Sequence, residues 1–171
     1  MEIDFHLDDD AWLALPEREV LAERATRAVF EVLEAPEPEA ELSLVFTSDS
    51  AMAELNRVWR GKARPTNVLS FPAAVGPRAG PPALLGDIVL AAGVVSAEAR
   101  AQAKPLANHT AHLIIHGVLH LLGHDHGDDA QAEAMERLEA QVMARLGLPD
   151  PYEDAQAPGR DHAGPALLDE R

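Results

Sequence analysis

The stretch His116-Gly117-Val118-Leu119-His120-Leu121-Leu122-Gly123-His124-Asp125-His126 decides how this 171-residue chain is read. His116 and His120 are four residues apart, so on a helix of 3.6 residues per turn their side chains differ by about 40° and lie one turn apart. Such a pair can grip one ion. Gly123 is the residue most able to leave a helix in a left-handed conformation, and His126 can then swing back to the same point from a loop. Three imidazoles with a fourth position left open are what a catalytic zinc site needs. Six of the eight histidines (109, 112, 116, 120, 124 and 126) fall within the eighteen residues 109–126. At ~1.5 Å of rise per residue, His109 is ~16 Å from His120 along the axis, too far to share its ion. His112 suits a place behind the ligands or along a channel. His124 and Asp125 can orient ligands or touch substrate.

The spacing His-x3-His-x2-Gly-x2-His is that of the metzincin metalloproteases, which keep a general-base Glu directly after the first His. Here that position is Gly117, which has no side chain to take a proton. With no Cys in the chain, any metal must be held by nitrogen and oxygen.

The length and the 47% hydrophobic content fit one globular domain. Met1 to Asp10 is acidic and lacks the pattern of a secretory leader, and no 18-residue apolar run occurs. A soluble, cytoplasmic protein with no membrane partner is expected. The formal net charge of −15 argues at first against a polyanionic partner. The distribution of charge points the other way. Residues 55–86 carry five cations (Arg57, Arg60, Lys62, Arg64, Arg78) and no acid, and residues 55–124 hold seven cations against two acids, Asp87 and Glu98. The flanks keep the remaining seven cations and 27 acids. The histidine cluster therefore lies in the cationic part of the chain, as expected if an anionic substrate is steered to it.

Glu2 to Leu7 alternates as a half-buried strand does, and after Pro16 the residues Val20, Leu21, Ala25, Ala28, Val29, Val32 and Leu33 repeat at the spacing of an amphipathic helix. Glu41 to Thr47 predicts a strand. Ser48 or Ser50 can cap a short helix carrying Met52, Leu55, Val58 and Trp59, which Gly61 stops. Thr66 to Pro72 predicts a strand opening into a Pro- and Gly-rich loop up to about Leu84, and Gly86 to Ala91 a buried central strand. Ser96 can cap a helix to about Lys104, and Pro105 opens the helix of the histidines, which runs to Gly123. A last amphipathic helix, Asp129 to Leu146, turns Ala132, Met135, Leu138, Val142 and Leu146 inward. The fold class expected is α+β, with a mixed sheet of about four strands covered by helices and the metal site on a buried helix. One metallohydrolase domain, residues 1–147, would be followed by a disordered acidic and Pro-rich tail, residues 148–171.

Four ordered segments resemble one family. Arg60, the run Thr66-Asn67-Val68-Leu69-Ser70-Phe71-Pro72, Gly86-Asp87-Ile88, and His116-Gly117-x-Leu119-His120-Leu121-x-Gly123-x-Asp125-His126 are similar to the YbeY family of bacterial rRNA-maturation endoribonucleases, metal-dependent hydrolases of zincin-like fold. The family commonly has Asp where Asn67 stands and Tyr where His124 stands. The resemblance implies that His116, His120 and His126 bind one Zn2+ per chain and that His116 and Arg60 serve the chemistry, Arg60 at a substrate phosphate. It further implies action on single-stranded rRNA at the small-subunit 3′ end, a role in ribosome quality control, and ribosome-associated protein partners.

The residues fit that implication. Zinc lowers the pKa of a bound water toward ~7, so the missing Glu is tolerable. A guanidinium fork suits a phosphate in which charge builds up. Two alternatives stand beside this reading: a zinc peptidase, favoured by the histidine spacing and opposed by Gly117, and a non-catalytic ribosome-assembly factor with structural zinc. A fourth protein ligand such as His112 or Asp125 would favour the latter.

Overall fold

A computed structural model describes residues 1–73 and 83–153. Alternating or continuous apolar runs form four strands, β1 (Glu2–Leu7), β2 (Ala40–Thr47), β3 (Val68–Pro72) and β4 (Ala83–Ala91). They lie in the order β1-β2-β4-β3. β1, β2 and β4 run parallel, and β3 is antiparallel to β4 at one edge. Parallel neighbours need long crossovers. Helix α1 (Arg18–Val32) makes the first of these, and helix α2 (Asp49–Arg60) together with β3 makes the second.

Period two decides which face each strand side chain serves. Leu42, Leu44 and Phe46 of β2 and Ile88 and Leu90 of β4 turn to the main core, which also takes Ala22, Ala25 and Val29 of α1. Met52 of α2 meets Leu69, Val89 and Ala91 on a smaller core. Helix α3 (Ala92–Ala101) leaves β4 directly, followed by α4 (Leu106–Leu121) and α5 (Asp129–Arg145). Twelve of the sixteen residues of α4 are buried, which makes the histidine helix the centre of the helical layer.

Gly117 explains how closely α4 approaches the sheet. A Cβ on it would lie 3.0 Å from Ile88 Cδ1 and 3.0 Å from Ser70 Oγ. Gly86 is needed more strictly, because its φ is +150° and a Cβ there would lie 2.4 Å from the Phe71 carbonyl oxygen.

The α+β class, the four-stranded mixed sheet and the buried histidine helix are as expected. Other expectations need correction. Ser96 caps nothing: α3 starts four residues earlier, and Asp49 Oδ1 accepts from Gly93 N at 2.9 Å and Val94 N at 3.1 Å. A carboxylate from the neighbouring helix has replaced a local cap. Val58 and Trp59 follow the helical period of α2 yet stay 59% and 68% exposed, because α2 covers only part of its sheet face. The loop expected up to Leu84 lies largely outside the described residues.

The expected boundary at Gly147 is also corrected over its next few residues. Leu148 packs against the main core, and Tyr152 is buried. Residues 154–171 lie outside the described residues. The composition after Gly147 offers little to bury. The signal that counts is one aromatic residue with a polar end, for which the core offers a polar partner.

Candidate metal centre

His116 and His120 come from the last turns of α4, where i and i+4 side chains share a face. The ending of that helix brings in the third histidine. Gly123, with φ +94°, donates its N–H to the His120 carbonyl, and His124 N–H goes to the Leu119 carbonyl, each at 3.0 Å. This pair of bonds is a Schellman ending, which reverses the chain. Asp125 Oδ1 accepts from His126 N at 2.8 Å. On the far side, Asp128 caps α5 by accepting from Gln131 N at 2.8 Å, and Gln131 Oε1 accepts from Gly127 N at 3.1 Å. His126 therefore sits in a loop tied down at both ends.

The three imidazoles converge. One ring nitrogen from each of His116, His120 and His126 lies within 4.8 Å of the other two. The ring centroids are 4.4 Å apart for His116 and His120, 5.0 Å for His120 and His126, and 5.7 Å for His116 and His126. His126 Nε2 is buried with no hydrogen-bond partner, a costly arrangement that a metal would relieve. This donor set can hold a metal ion.

Behind the histidines lies a residue that the sequence reading missed. Glu139 of α5 is 1% exposed, and its Oε1 accepts from His116 Nδ1 at 2.5 Å. Its Oε2 accepts from His112 Nε2 at 2.9 Å and from the Tyr152 hydroxyl. Burial alone would raise the Glu139 carboxyl, but the hydrogen bonds from His112 and His116 outweigh it and hold the group well below the usual carboxylate range. An ionised carboxylate only accepts, so His116 Nδ1–H donates to it and Nε2 is the ring nitrogen left to face a ligand. A carboxylate that orients a ligating imidazole in this way is a recurrent feature of metal sites. Glu139 had a sequence signal. It lies four residues after Met135 and so on the same inward stripe, where a carboxylate is out of place unless paired.

Burial, and then the Glu139 charge, push the Tyr152 phenol well above its usual range, so it stays protonated and donates. His112 thus stands behind the ligands, held by Glu139. His109 is buried, its Nε2 3.6 Å from Glu98 Oε1. Glu98 also accepts from Asn67 Nδ2 at 3.3 Å, so an Asp at position 67 would bring two carboxylates together. Asn67 fits its neighbour. His124 is half-buried beyond the helix end, and Asp125 is exposed.

Arg60 is the last residue of α2 and is half-buried. Next to it, Trp59 packs on Phe71 of β3 with 5.9 Å between ring centroids, while Ser70 of β3 faces Gly117 of α4. The edge strand β3 thus touches both the end of α2 and the histidine helix. Position 117, where a metzincin base would stand, faces Ile88 and Ser70 and has no room for a Glu.

Residues 8–147 match the family model described as Endoribonuclease YbeY. The chain belongs to the YbeY endoribonuclease family. The Endoribonuclease YbeY of Azorhizobium caulinodans is 50% identical over 153 residues, which cover 89% of this chain and 96% of the relative. That of Methylocella silvestris is 46% identical over 164 residues, covering 95% of this chain and 92% of the relative. The solution structure of TM1509 from Thermotoga maritima shares the fold with a TM-score of 0.51 at 24% identity, covering 93% of this chain and 99% of that one. YbeY endoribonucleases are hydrolases of RNA phosphodiester bonds, which accords with the enzyme class expected from the sequence. No helix among the described residues is long and apolar enough to cross a membrane.

Proposed function

We propose that this protein is a zinc-dependent, single-strand-specific endoribonuclease that acts in maturation of the small-subunit rRNA 3′ end and in ribosome quality control, working in the cytoplasm with ribosome-associated proteins. The observation that carries the metal-dependent reading is the convergence of His116, His120 and His126, with His116 Nδ1 held 2.5 Å from the buried Glu139. These three residues would hold one Zn2+ per chain. The ion, when bound, supplies Lewis-acid stabilisation of charge on the scissile phosphate.

The chain's own residues do the rest. Glu139 keeps the His116 ring in the tautomer and orientation that present Nε2 to the ion. Neither His112 nor Asp125, the two candidate fourth ligands, belongs to the group of converging ligand atoms found among the described residues, which is His116, His120 and His126. That supports an open, catalytic site over a closed, structural one. Arg60 would place a planar, permanently charged donor fork on a phosphate oxygen. Lys62 and Arg64, close by in sequence, add positive potential that draws RNA toward it, whereas Arg57 is paired with Glu54.

The test is incubation of metal-loaded protein with labelled single-stranded and double-stranded RNA, with metal content measured on the same samples and His116→Ala as control. Cleavage of the single-stranded substrate that vanishes with the metal in His116→Ala is expected. Equal cleavage by metal-free His116→Ala protein would remove the histidine cluster from the reaction.

A further inference from the structure

We propose that Tyr152 is a positioning residue for the metal centre, acting through Glu139 on His116. The proposal deepens the reading of the three histidines as metal ligands and rests on it. Tyr152 lies beyond the stretch matched to the family, which ends at residue 147.

The geometry is a relay of three groups. The Tyr152 hydroxyl donates to Glu139 Oε2, the oxygen that also accepts from His112 Nε2 at 2.9 Å, while Glu139 Oε1 accepts from His116 Nδ1 at 2.5 Å. With donors on both oxygens, the carboxylate plane cannot turn without breaking a bond. Tyr152 also steadies its fellow donor: its hydroxyl lies 3.2 Å from His112 Nε2 and its ring meets the His112 ring edge-on, centroids 5.4 Å apart. Removing the hydroxyl leaves Oε2 with His112 alone. One donor fewer then holds the carboxylate, and the acceptor of the His116 Nδ1 proton is less firmly fixed.

The segment that delivers Tyr152 is itself held. Leu148 packs on the main core, Lys104 Nζ donates to the Pro151 carbonyl at 2.7 Å, and Tyr152 N donates to Asp150 Oδ1 at 2.8 Å. Pro149 and Pro151 flank Asp150 and limit the backbone on either side. A ring that only filled space would gain nothing from ending in a hydroxyl aimed at a buried carboxylate. Phe at this position separates the two roles, since it keeps the ring and removes the oxygen.

The experiment uses the full chain and its Tyr152→Phe and His116→Ala variants. Zn2+ affinity is measured by competition with a chromogenic chelator, the tautomers of the metal-free histidines by long-range 15N–1H correlation, and thermal unfolding on the same metal-free samples. Tyr152→Phe is expected to bind Zn2+ about tenfold more weakly, within the range usual for groups behind metal ligands. Its His116 should show a mixture of tautomers in place of a single Nδ1–H form, and it should unfold at the parent's temperature. Affinity and tautomer both equal to the parent, with metal lost in His116→Ala, would overturn the positioning role and leave the metal site intact. Weaker binding with an unchanged tautomer and a lower unfolding temperature would overturn it in favour of a structural role. Undiminished binding by His116→Ala would instead defeat the metal assignment, and the proposal with it.

Discussion

Glu139 of α5 accepts a 2.5 Å hydrogen bond from Nδ1 of His116 on α4, across 23 residues of sequence, and so sets which nitrogen of that imidazole can meet a metal. Glu139→Gln is predicted to weaken zinc binding by about 10–100-fold. An amide keeps the size but can no longer accept from every donor around it, and its own N–H2 would face groups that donate. Chelator competition at neutral pH checks the change, and unaltered affinity would remove Glu139 from the metal site.

The same carboxylate makes stability depend on pH. Its folded-state pKa is depressed, so its contribution is present above the unfolded carboxylate range, about pH 5, and is lost as the pH falls through the folded value. Urea unfolding of the metal-free protein at several pH values between about 3 and 6 should show the parent losing stability with acid more steeply than Glu139→Gln. Parallel curves for the two proteins would contradict the depressed pKa.

One divalent metal per chain is predicted, bound through His116, His120 and His126. Elemental analysis of the triple alanine variant should find none. Affinity should also fall below pH ~6, because imidazoles must be unprotonated to ligate. A full equivalent of metal retained by the triple variant would point to another site.

Arg60→Ala is predicted to lower RNA cleavage by ~10²–10³, equivalent to about 3–4 kcal/mol, and Arg60→Lys to restore little, because a point charge lacks the bidentate fork. Metal content should stay at the parent level. Single-turnover cleavage at a parent-like rate by a metal-loaded Arg60→Ala protein would take Arg60 out of the reaction.

Truncation after Gly147 is predicted to lower the melting temperature by about 5 °C or more, since it removes the buried Tyr152 ring and the packing of Leu148 on the main core. An unchanged melting temperature would show that residues 148–153 contribute little to the fold.

The sequence by itself determined whatever depends on short separations. The i, i+4 spacing of His116 and His120 and the turn at Gly123 were legible because helix geometry relates residues a few positions apart. Alternation revealed β1 and β2, the long apolar run revealed β4 as a buried strand, and the segregation of cations pointed to an anionic substrate. Tertiary structure alone decided the rest. That Asp49 caps α3, that Glu139 holds His116, and that Tyr152 returns to Glu139 depends on where separate elements pack, and no local period encodes such distances. The physical reason is the cost of burying a charge. A carboxylate inside a helical layer is tolerated only when donors from other segments meet it there, and packing of α4, α5 and the segment after Gly147 brings those donors to one point.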